Sequence, residues 1–262
     1  MKQVLVTLLI AIGLAACVSK PEKQIVRTGA FLDETEQPNL VALLPPPPAA
    51  GSPAAEADQI ASEAFLKLMD TPRWDIAILD AAMRAPGGAT VFSCAANIPI
   101  SEETTPLTMR VLRNTGIDIA MATRAPKKHY QRKRPFMTNE QPVCTPSGLR
   151  FLQKDGSYPS GHSSAGWAWG LLLAELIPDK ADALVERGWH FGQSRAVCNV
   201  HWQSDIEQGR IVGSAIVAKL HSNRAFRAAM ADARDELAKV RSQNLPVGRD
   251  CENEATALAM GS

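Results

Sequence analysis

The chain has 262 residues, of which 45% are hydrophobic, and its 28 lysines and arginines are almost balanced by 27 aspartates and glutamates. A formal net charge of +1 at pH 7 gives no sign of a basic nucleic-acid-binding surface, so we expect no nucleic-acid partner. The apolar content is sufficient for one large domain with its own core.

The first residues are typical of a secretory signal, because a lysine precedes an apolar run over residues 4–14. This run is shorter than the roughly 20 apolar residues that a membrane-spanning helix needs. The segment Leu14–Cys17 resembles a bacterial lipobox, which predicts removal of residues 1–16 and lipidation of Cys17. Plain cleavage just before the cysteine, which would release a soluble periplasmic protein, is the alternative. Val18 favours outer-membrane sorting by resemblance to known lipoproteins, so we expect a periplasmic lipoprotein whose lipid anchor is its only membrane contact.

A polar, proline-dotted segment follows the signal over residues 17–50 and includes the run Pro45–Pro48. This composition predicts an extended tether. The folded domain is then expected to span residues 51–245, with residues 246–262 as a C-terminal tail.

Beyond residue 55 the apolar residues recur with helical rather than alternating spacing, and no strand pair with a hairpin turn is visible. Thr71-Pro72 and Thr105-Pro106 each place a capping residue before a proline suited to the first helical position, whereas Gly87-Gly88 and Gly116 indicate helix ends. The expected fold is all-α, a single-domain helical bundle. Helices are predicted at about residues 56–69, 72–85, 105–115, 162–177, 180–193, 204–221 and 223–241.

Positive charge is concentrated between Lys127 and the dipeptide Arg134-Pro135. Lys127 and Arg134, with Arg195 further along the chain, could supply the fixed donors that a phosphate and its transition state need. Arginine binds two oxygens at once and lysine acts as a point charge, so a mixture of both suits one small anion. The alternative interpretation of the run after Lys127 is a solvated basic loop.

The tetrapeptide Pro159-Ser160-Gly161-His162 lies at the start of a predicted helix. Unpaired N–H groups at a helix start, together with the positive end of the helix dipole, favour a bound anion. Gly161 allows close approach, Ser160 adds a hydroxyl donor, and His162 could give a proton to a leaving oxygen. A helix cap followed by a surface histidine would also fit the tetrapeptide.

His201 and Asp205 are four residues apart, which on a helix places both side chains on one face within hydrogen-bonding reach. A carboxylate in that place holds one ring nitrogen protonated and leaves the other with a lone pair, as a nucleophilic imidazole requires. An ordinary ion pair on a helix surface is the alternative.

The three blocks together match one ordered pattern: Lys-x6-Arg-Pro, then Pro-Ser-Gly-His, then Ser-Arg-x5-His-x3-Asp. In this pattern the chain resembles the type 2 phosphatidic acid phosphatase superfamily, which includes the vanadium haloperoxidases. It resembles most closely the bacterial class A non-specific acid phosphatases, through the stretches Asp155–Tyr158, Gly166–Trp169 and Cys198–Asp205. The resemblance covers roughly residues 45 to 240 and implies the helical bundle of the acid phosphatase/vanadium haloperoxidase type.

The resemblance also implies a role for each matching residue. His201 would attack phosphorus and form a phosphohistidine, Asp205 would orient it, and His162 would protonate the leaving alcohol and then activate water. The implied ligands of the phosphoryl oxygens are Lys127, Arg134, Ser160, the Gly161 amide and Arg195. Such enzymes need no metal, and the spacing of the five histidines shows no metal site either, so we expect no cofactor.

Four cysteines remain after Cys17, an even number in a chain directed to an oxidising compartment, and they predict two disulfides. The sequence leaves three pairings open. Our preference is Cys94 with Cys144 and Cys198 with Cys251, because these partners lie in neighbouring regions of the chain. A bridge at Cys198 could brace the loop that carries His201.

The expected function is that of a metal-independent acid phosphatase, which hydrolyses varied phosphomonoesters, nucleotides among them, through a phosphohistidine at His201. Transfer of phosphate to an alcohol is also expected, and an acidic optimum follows if His162, with an ordinary pKa of about 6.5, is the general acid. The alternatives are a vanadium-dependent haloperoxidase and a non-catalytic lipoprotein that binds phosphate or a phosphoester. The resemblance to class A suggests a homo-oligomer.

Overall fold

The computed structural model describes residues 29–83 and 88–261. Within these ranges all regular structure is helical, so the all-α prediction is confirmed. Short 3-10 helices lie at Gly88–Phe92, Pro146–Gly148 and Pro178–Lys180. The α-helices are α1 Leu40–Leu43, α2 Pro53–Leu66, α3 Pro72–Ala81, α4 Ser93–Ala96, α5 Pro106–Ala122, α6 Arg124–Tyr130, α7 Phe136–Asn139, α8 Leu149–Leu152, α9 Gly161–Leu176, α10 Ala181–Val197, α11 Gln203–Leu220, α12 Arg224–Ser242 and α13 Cys251–Leu258. None of the described helices is long and apolar enough to cross a membrane.

The starts of the long helices follow the local signals, but two of the predicted ends are wrong. Helices α3 and α5 begin at a proline after a threonine, as expected. Helix α5 does not stop at Gly116 but continues to Ala122. The glycine instead leaves room for Trp169, since a Cβ there would lie 3.4 Å from the indole ring. Helix α3 ends at Ala81 rather than near residue 85, since Ala82 already has an extended backbone.

Helix α9 lies at the centre of the bundle and packs against α5, α10 and α11. Its apolar side chains, Leu172 and Leu173 among them, are completely buried. Glycines let the neighbouring helices approach closely: a Cβ on Gly188 of α10 would lie 2.8 Å from the Gly166 carbonyl oxygen, and one on Gly213 of α11 would lie 2.6 Å from that of Ser164. The backbones of α10 and α11 therefore contact the backbone of α9 directly.

The segment predicted as a tether is packed on the bundle wherever the structure describes it. Leu32, Leu40 and Leu44 are buried in the main core. The backbone N–H groups of Phe31 and Leu32 donate to the carboxylate of Asp118 in α5, at 3.1 and 3.0 Å. Burial, opposed by these hydrogen bonds, raises the pKa of Asp118 to about 6. The domain therefore begins no later than residue 29; the predicted signal and Cys17 lie outside the described residues.

The segment predicted as a C-terminal tail, residues 246–262, also belongs to the fold as far as residue 261, where the description ends. It carries α13, which a disulfide between Cys251 and Cys94 joins to α4. Glu254 of α13 accepts a hydrogen bond of 3.0 Å from the buried Arg187 of α10, and Ala257 is buried. Apolar, ionic and covalent contacts thus fix α13 to the bundle.

Two disulfides are present, as predicted, but the preferred pairing is wrong. The bonds are Cys94–Cys251 and Cys144–Cys198, with Cα–Cα distances of 5.4 and 4.8 Å. The end of α10 meets the segment after α7, where Asn199 donates from its side chain to the carbonyl of Gln141 at 3.0 Å. Tertiary contact, rather than closeness along the chain, therefore selects the partner of Cys198.

Candidate active site

The three sequence blocks converge at one end of the bundle, where α6, α9, α10 and α11 begin or end. Arg134 places Nη1 3.0 Å from Nε2 of His201. The backbone N–H of Ser160, which caps α9, donates to the carbonyl of Asp205 in α11 at 3.0 Å. The backbone N–H of His201 lies 3.3 Å from the carbonyl oxygen of Arg195. Arg134 and His201, which are 67 positions apart along the chain, therefore meet in one site.

His201 and Asp205 are in contact, although not on one helix face as predicted. His201 precedes α11, whose first residue is Gln203, and Asp205 lies in the first turn of that helix. Nδ1 of His201 lies 3.3 Å from Oδ2 of Asp205, which also accepts from the backbone N–H of Trp202 at 2.9 Å. Because a carboxylate accepts, Nδ1 carries the proton and Nε2 carries the lone pair. The contact therefore gives the ring the tautomer that a nucleophile needs.

Lys127 and Arg134 are both held by one carboxylate that the sequence interpretation did not assign to the site. Oδ2 of Asp155 accepts from Lys127 Nζ at 2.8 Å and from Arg134 Nη2 at 2.9 Å. Burial and the charge of Arg134 lower the pKa of Lys127 to about 8, against the opposing effect of Asp155. Arg134 also donates through Nη1 to the carbonyl of Val200, at 2.9 Å. Its orientation is thus fixed from two sides.

Arg195 is buried, yet its Nε and Nη1 have no hydrogen-bond partner within the described ranges. Burial and the charge of Arg134 lower its pKa to about 10. Arg187, two helical turns earlier in α10, is equally buried but is paired with Asp80 and Glu254. An unpaired buried donor costs free energy, and a bound anion is one partner that would remove this cost.

The start of α9 is built as the tetrapeptide predicts. Ser160 is the N-cap, and its Oγ accepts from the backbone N–H of Ser163 at 3.2 Å. Nε2 of His162 lies 3.1 Å from the carbonyl oxygen of Ala81, so this nitrogen donates and Nδ1 is left for proton exchange. The imidazole stacks on Phe191, with ring centroids 6.4 Å apart and an angle of 17° between the planes.

The pKa values of both site histidines lie well below the ordinary value. For His162 the causes are burial and then the charge of Arg195; for His201 they are burial and then the charges of Arg134 and Lys127. Both shifts favour the neutral form of the imidazole.

Sequence reasoning missed four residues around these groups: Asp58, Arg132, Asp155 and Ser157. Arg132 lies inside the basic run, and Asp155 and Ser157 lie in the stretch that carries the family resemblance, but no spacing rule assigns them a role. The hydroxyl of Ser157 donates to Oδ2 of Asp205. Asp58 comes from α2 and bonds to Arg132. Only a tertiary contact could reveal these positions.

The part of the chain that the structure describes contains no group of three or more His, Cys, Asp or Glu side chains that could hold a metal ion.

Comparison with known proteins agrees with this geometry. Residues 110–227, which include all three blocks, match the profile of the PAP2 superfamily. The chain is 41% identical over 212 residues to a non-specific acid phosphatase of Providencia stuartii, covering 80% of this chain and 86% of that protein. It is 40% identical over 219 residues to an acid phosphatase of Zymomonas mobilis subsp. mobilis, covering 82% and 81%.

A third relative is a non-specific acid phosphatase of Salmonella typhimurium, 39% identical over 211 residues that cover 79% of this chain and 83% of that protein. These names favour a phosphatase over the haloperoxidase and the non-catalytic binding protein. The chain therefore belongs to the class A non-specific acid phosphatases of the PAP2 superfamily, and it is an acid phosphatase.

Proposed function

We propose that this acid phosphatase is independent of metal and hydrolyses a broad range of phosphomonoesters, nucleotides among them, through a phosphohistidine at His201. The observation that carries the proposal is the state of two buried groups. His201 has its Nε2 lone pair on the side of the cations, and Arg195 presents two buried donors without a partner in the described residues. A phosphoryl group between them would receive both the nucleophile and the missing hydrogen bonds.

Binding would use the positive groups and the start of α9. Two guanidinium groups and one ammonium spread charge over the three phosphoryl oxygens, and the hydroxyl of the N-cap serine and the backbone at the helix start add donors. The proposed ligands are Lys127, Arg134, Ser160, Gly161 and Arg195.

The reaction would proceed in two steps. In the first, Nε2 of His201 forms a bond to phosphorus while the bond from phosphorus to the ester oxygen breaks, and His162 gives its proton to the leaving alkoxide. In the second, His162 takes a proton from water, whose oxygen attacks phosphorus and releases inorganic phosphate from the ring. An alcohol in place of that water would receive the phosphoryl group, so phosphotransferase activity is part of the proposal.

The lowered pKa values refine the expected pH dependence. His201 keeps its lone pair at acidic pH because burial and the cations lower its pKa. Burial and the charge of Arg195 also lower the pKa of His162, so the ordinary value of a free imidazole does not describe this ring in the folded protein. A bound phosphate dianion would oppose the cations and raise the pKa of His162 again. We therefore expect an acidic optimum, set in the complex by His162.

The test is release of phosphate from an aryl phosphate at about pH 5 to 6 with a chelator present. His201→Ala and His162→Ala should each reduce kcat by at least about 100-fold. His221→Ala, at an exposed position away from the site, serves as the matched control and should retain activity. Trapping of an acid-labile phosphohistidine in wild type, and its absence in His201→Ala, would support the covalent step. Activity that disappears with the chelator, or that persists in both site variants, would reject the mechanism.

Substrate breadth and cellular location belong to the same proposal. Rates on nucleotides, sugar phosphates and simple alkyl phosphates would test the breadth. We also propose a periplasmic lipoprotein held at the outer membrane through Cys17, which predicts lipid labelling that Cys17→Ser abolishes. Light scattering of the purified protein would test for a homo-oligomer.

A further inference from the structure

We propose that Arg132, held by Asp58, is a positioning residue for phosphate transfer: it fixes the carboxylate of Asp205 that orients His201. The inference rests on the proposed function, in which His201 is the nucleophile. Arg132 itself is not expected to touch the substrate.

Arg132 bridges two buried carboxylates. Its Nη1 donates to Oδ1 of Asp205 at 2.6 Å, and its Nη2 donates to Oδ2 of Asp58 at 2.6 Å. Its guanidinium carbon lies 5.5 Å from the ring centroid of Trp202, the residue between His201 and α11. The planar guanidinium is thus fixed by both of its terminal nitrogens and by an aromatic ring.

Asp58 anchors this guanidinium from a distant part of the chain. Its side chain is almost fully buried in α2, 74 residues before Arg132. It also accepts from the backbone N–H of Ser204 at 2.8 Å and from the Ser204 hydroxyl at 2.6 Å. Ser204 lies next to Asp205 in the first turn of α11. Asp58 therefore ties Arg132 to the same helix turn that carries the orienting carboxylate.

The carboxylate of Asp205 divides its two oxygens between different tasks. Oδ2 receives the hydroxyl of Ser157, the backbone N–H of Trp202 and Nδ1 of His201. Oδ1 receives Nη1 of Arg132. Without Arg132, Oδ1 would lose this partner, and the carboxylate plane could turn so that Oδ2 leaves its alignment with the imidazole. Errors of about 1 Å in such an alignment are sufficient to reduce catalysis roughly 100-fold.

The charge of Arg132 also affects the pKa of His201, because it balances the negative charge of Asp205. Arg132 bonds directly to Asp205, whereas Arg134, Lys127 and Arg195 lower the pKa of the His201 imidazole through their charge. Removing Arg132 would leave the negative charge of Asp205 less balanced, which favours the imidazolium and raises the pKa of His201. The charged and titratable groups that face this cluster are Asp58, Lys127, Arg134, Asp155, Tyr158, His162, Arg195, His201 and Asp205.

A purely structural role would have a different signature. If Arg132 and Asp58 only dock α2 onto the bundle, their loss lowers the melting temperature and leaves the pH profile of the folded enzyme unchanged. A positioning role instead changes kcat and the acidic limb of kcat/KM, because that limb reports the fraction of His201 with an available lone pair.

The experiment compares full pH profiles of wild type, Arg132→Gln, Arg132→Lys, Asp58→Asn and Lys133→Gln on one aryl phosphate. Arg132→Gln should lower kcat roughly 10- to 100-fold and move the acidic limb to higher pH, while the inhibition constant of inorganic phosphate changes less than about threefold. Arg132→Lys keeps the charge, so its acidic limb should stay at the wild-type position with part of kcat recovered. Lys133→Gln removes one exposed charge from the adjacent position and should match wild type.

Asp58→Asn keeps the cation but weakens its anchor, and it should lower kcat in the same direction as Arg132→Gln. This variant and Arg132→Lys provide the test if Arg132→Gln does not fold. The inference would be overturned if, in the folded variants, kcat stayed within twofold of wild type and the acidic limb of kcat/KM stayed at its wild-type pH. Rapid-quench trapping separates the two proposals: absence of phosphohistidine in wild type rejects the nucleophile, whereas an unchanged rate of its formation in the Arg132 and Asp58 variants rejects only the positioning role.

Discussion

Arg195→Met should have opposite effects on stability and on phosphate binding. The substitution removes a buried guanidinium whose Nε and Nη1 lack a partner in the described part of the chain, and replaces it with an apolar side chain of similar length. Replacing a buried, imperfectly paired charge by a packed apolar group stabilises a protein by about 1–4 kcal/mol. The ligand-free variant should therefore melt higher than wild type, by roughly 2–4 °C per kcal/mol for a domain of this size.

Phosphate should reverse the order of the melting temperatures of wild type and Arg195→Met. Two hydrogen bonds to a charged group contribute about 3–6 kcal/mol together, so the variant should lose about 100-fold or more in affinity and in kcat/KM. At about 1,000 times its dissociation constant, phosphate stabilises wild type by about 4 kcal/mol and the variant by much less. Thermal melts with and without phosphate would show whether the order of the two proteins inverts.

Arg187→Met is the matched control on the same helix. Arg187 is equally buried but paired with two carboxylates, so its loss leaves Asp80 without its paired cation and leaves Glu254 with Arg249 alone. Breaking such a buried pair costs about 3–5 kcal/mol. We expect this variant to melt lower than wild type and to keep its phosphate-induced shift. An Arg195→Met protein that melts lower without phosphate and keeps the full shift would refute the assignment of Arg195 to an anion site.

Three further predictions concern pH and the disulfides. Because the pKa of Lys127 is lowered to about 8, its charge is lost as pH rises through that value, so inhibition by phosphate should weaken there in wild type and persist to higher pH in Lys127→Arg. The pKa of Asp118 is raised to about 6 in the folded protein, so the folded state binds this proton more tightly than the unfolded state and loses that stabilisation as pH rises. Between about pH 4.5 and 7, the free energy of unfolding in urea should fall by about 2 kcal/mol more in wild type than in Asp118→Asn. An equal pH dependence of the two proteins would contradict this. The Cys94–Cys251 bond closes a loop with a sequence separation of 157 residues, so Cys94→Ser with Cys251→Ser should cost up to about 5 kcal/mol, and a loss below about 1 kcal/mol would argue against the bond.

Local signals predicted the helices well because they act within one or two turns. Proline after threonine marks the starts of α3 and α5, and the Pro-Ser-Gly-His turn begins α9. The prediction that Gly116 ends a helix was wrong, because this glycine lies within α5 and leaves room for Trp169 of another helix. The same limit applies to residues 29–50, where a few leucines in a polar, proline-rich segment are buried by tertiary packing.

In the candidate site, too, local sequence signals identified some residues, whereas others could be found only from tertiary contacts. Arg134 lies beside His201, and His201 contacts Asp205, although His201 lies before α11 and not on one of its faces. Asp58 and Arg132 were not found, because a carboxylate in α2 can be linked to the site only when the chain folds and α2 meets α11. The disulfide partners were missed for a similar reason: chain distance does not report which helix ends meet.

The glycine contacts of α9 have a mechanical consequence for the enzyme. A single methyl group on Gly188 or Gly213 would collide with the α9 backbone, so the central helices have almost no room to slide past one another. The helix ends that carry Gly161, Arg195 and Asp205 should therefore behave as one rigid body. The geometry of the candidate site is then set before a substrate arrives, and differences in substrate preference among related chains should arise in the surrounding loops rather than in this central packing.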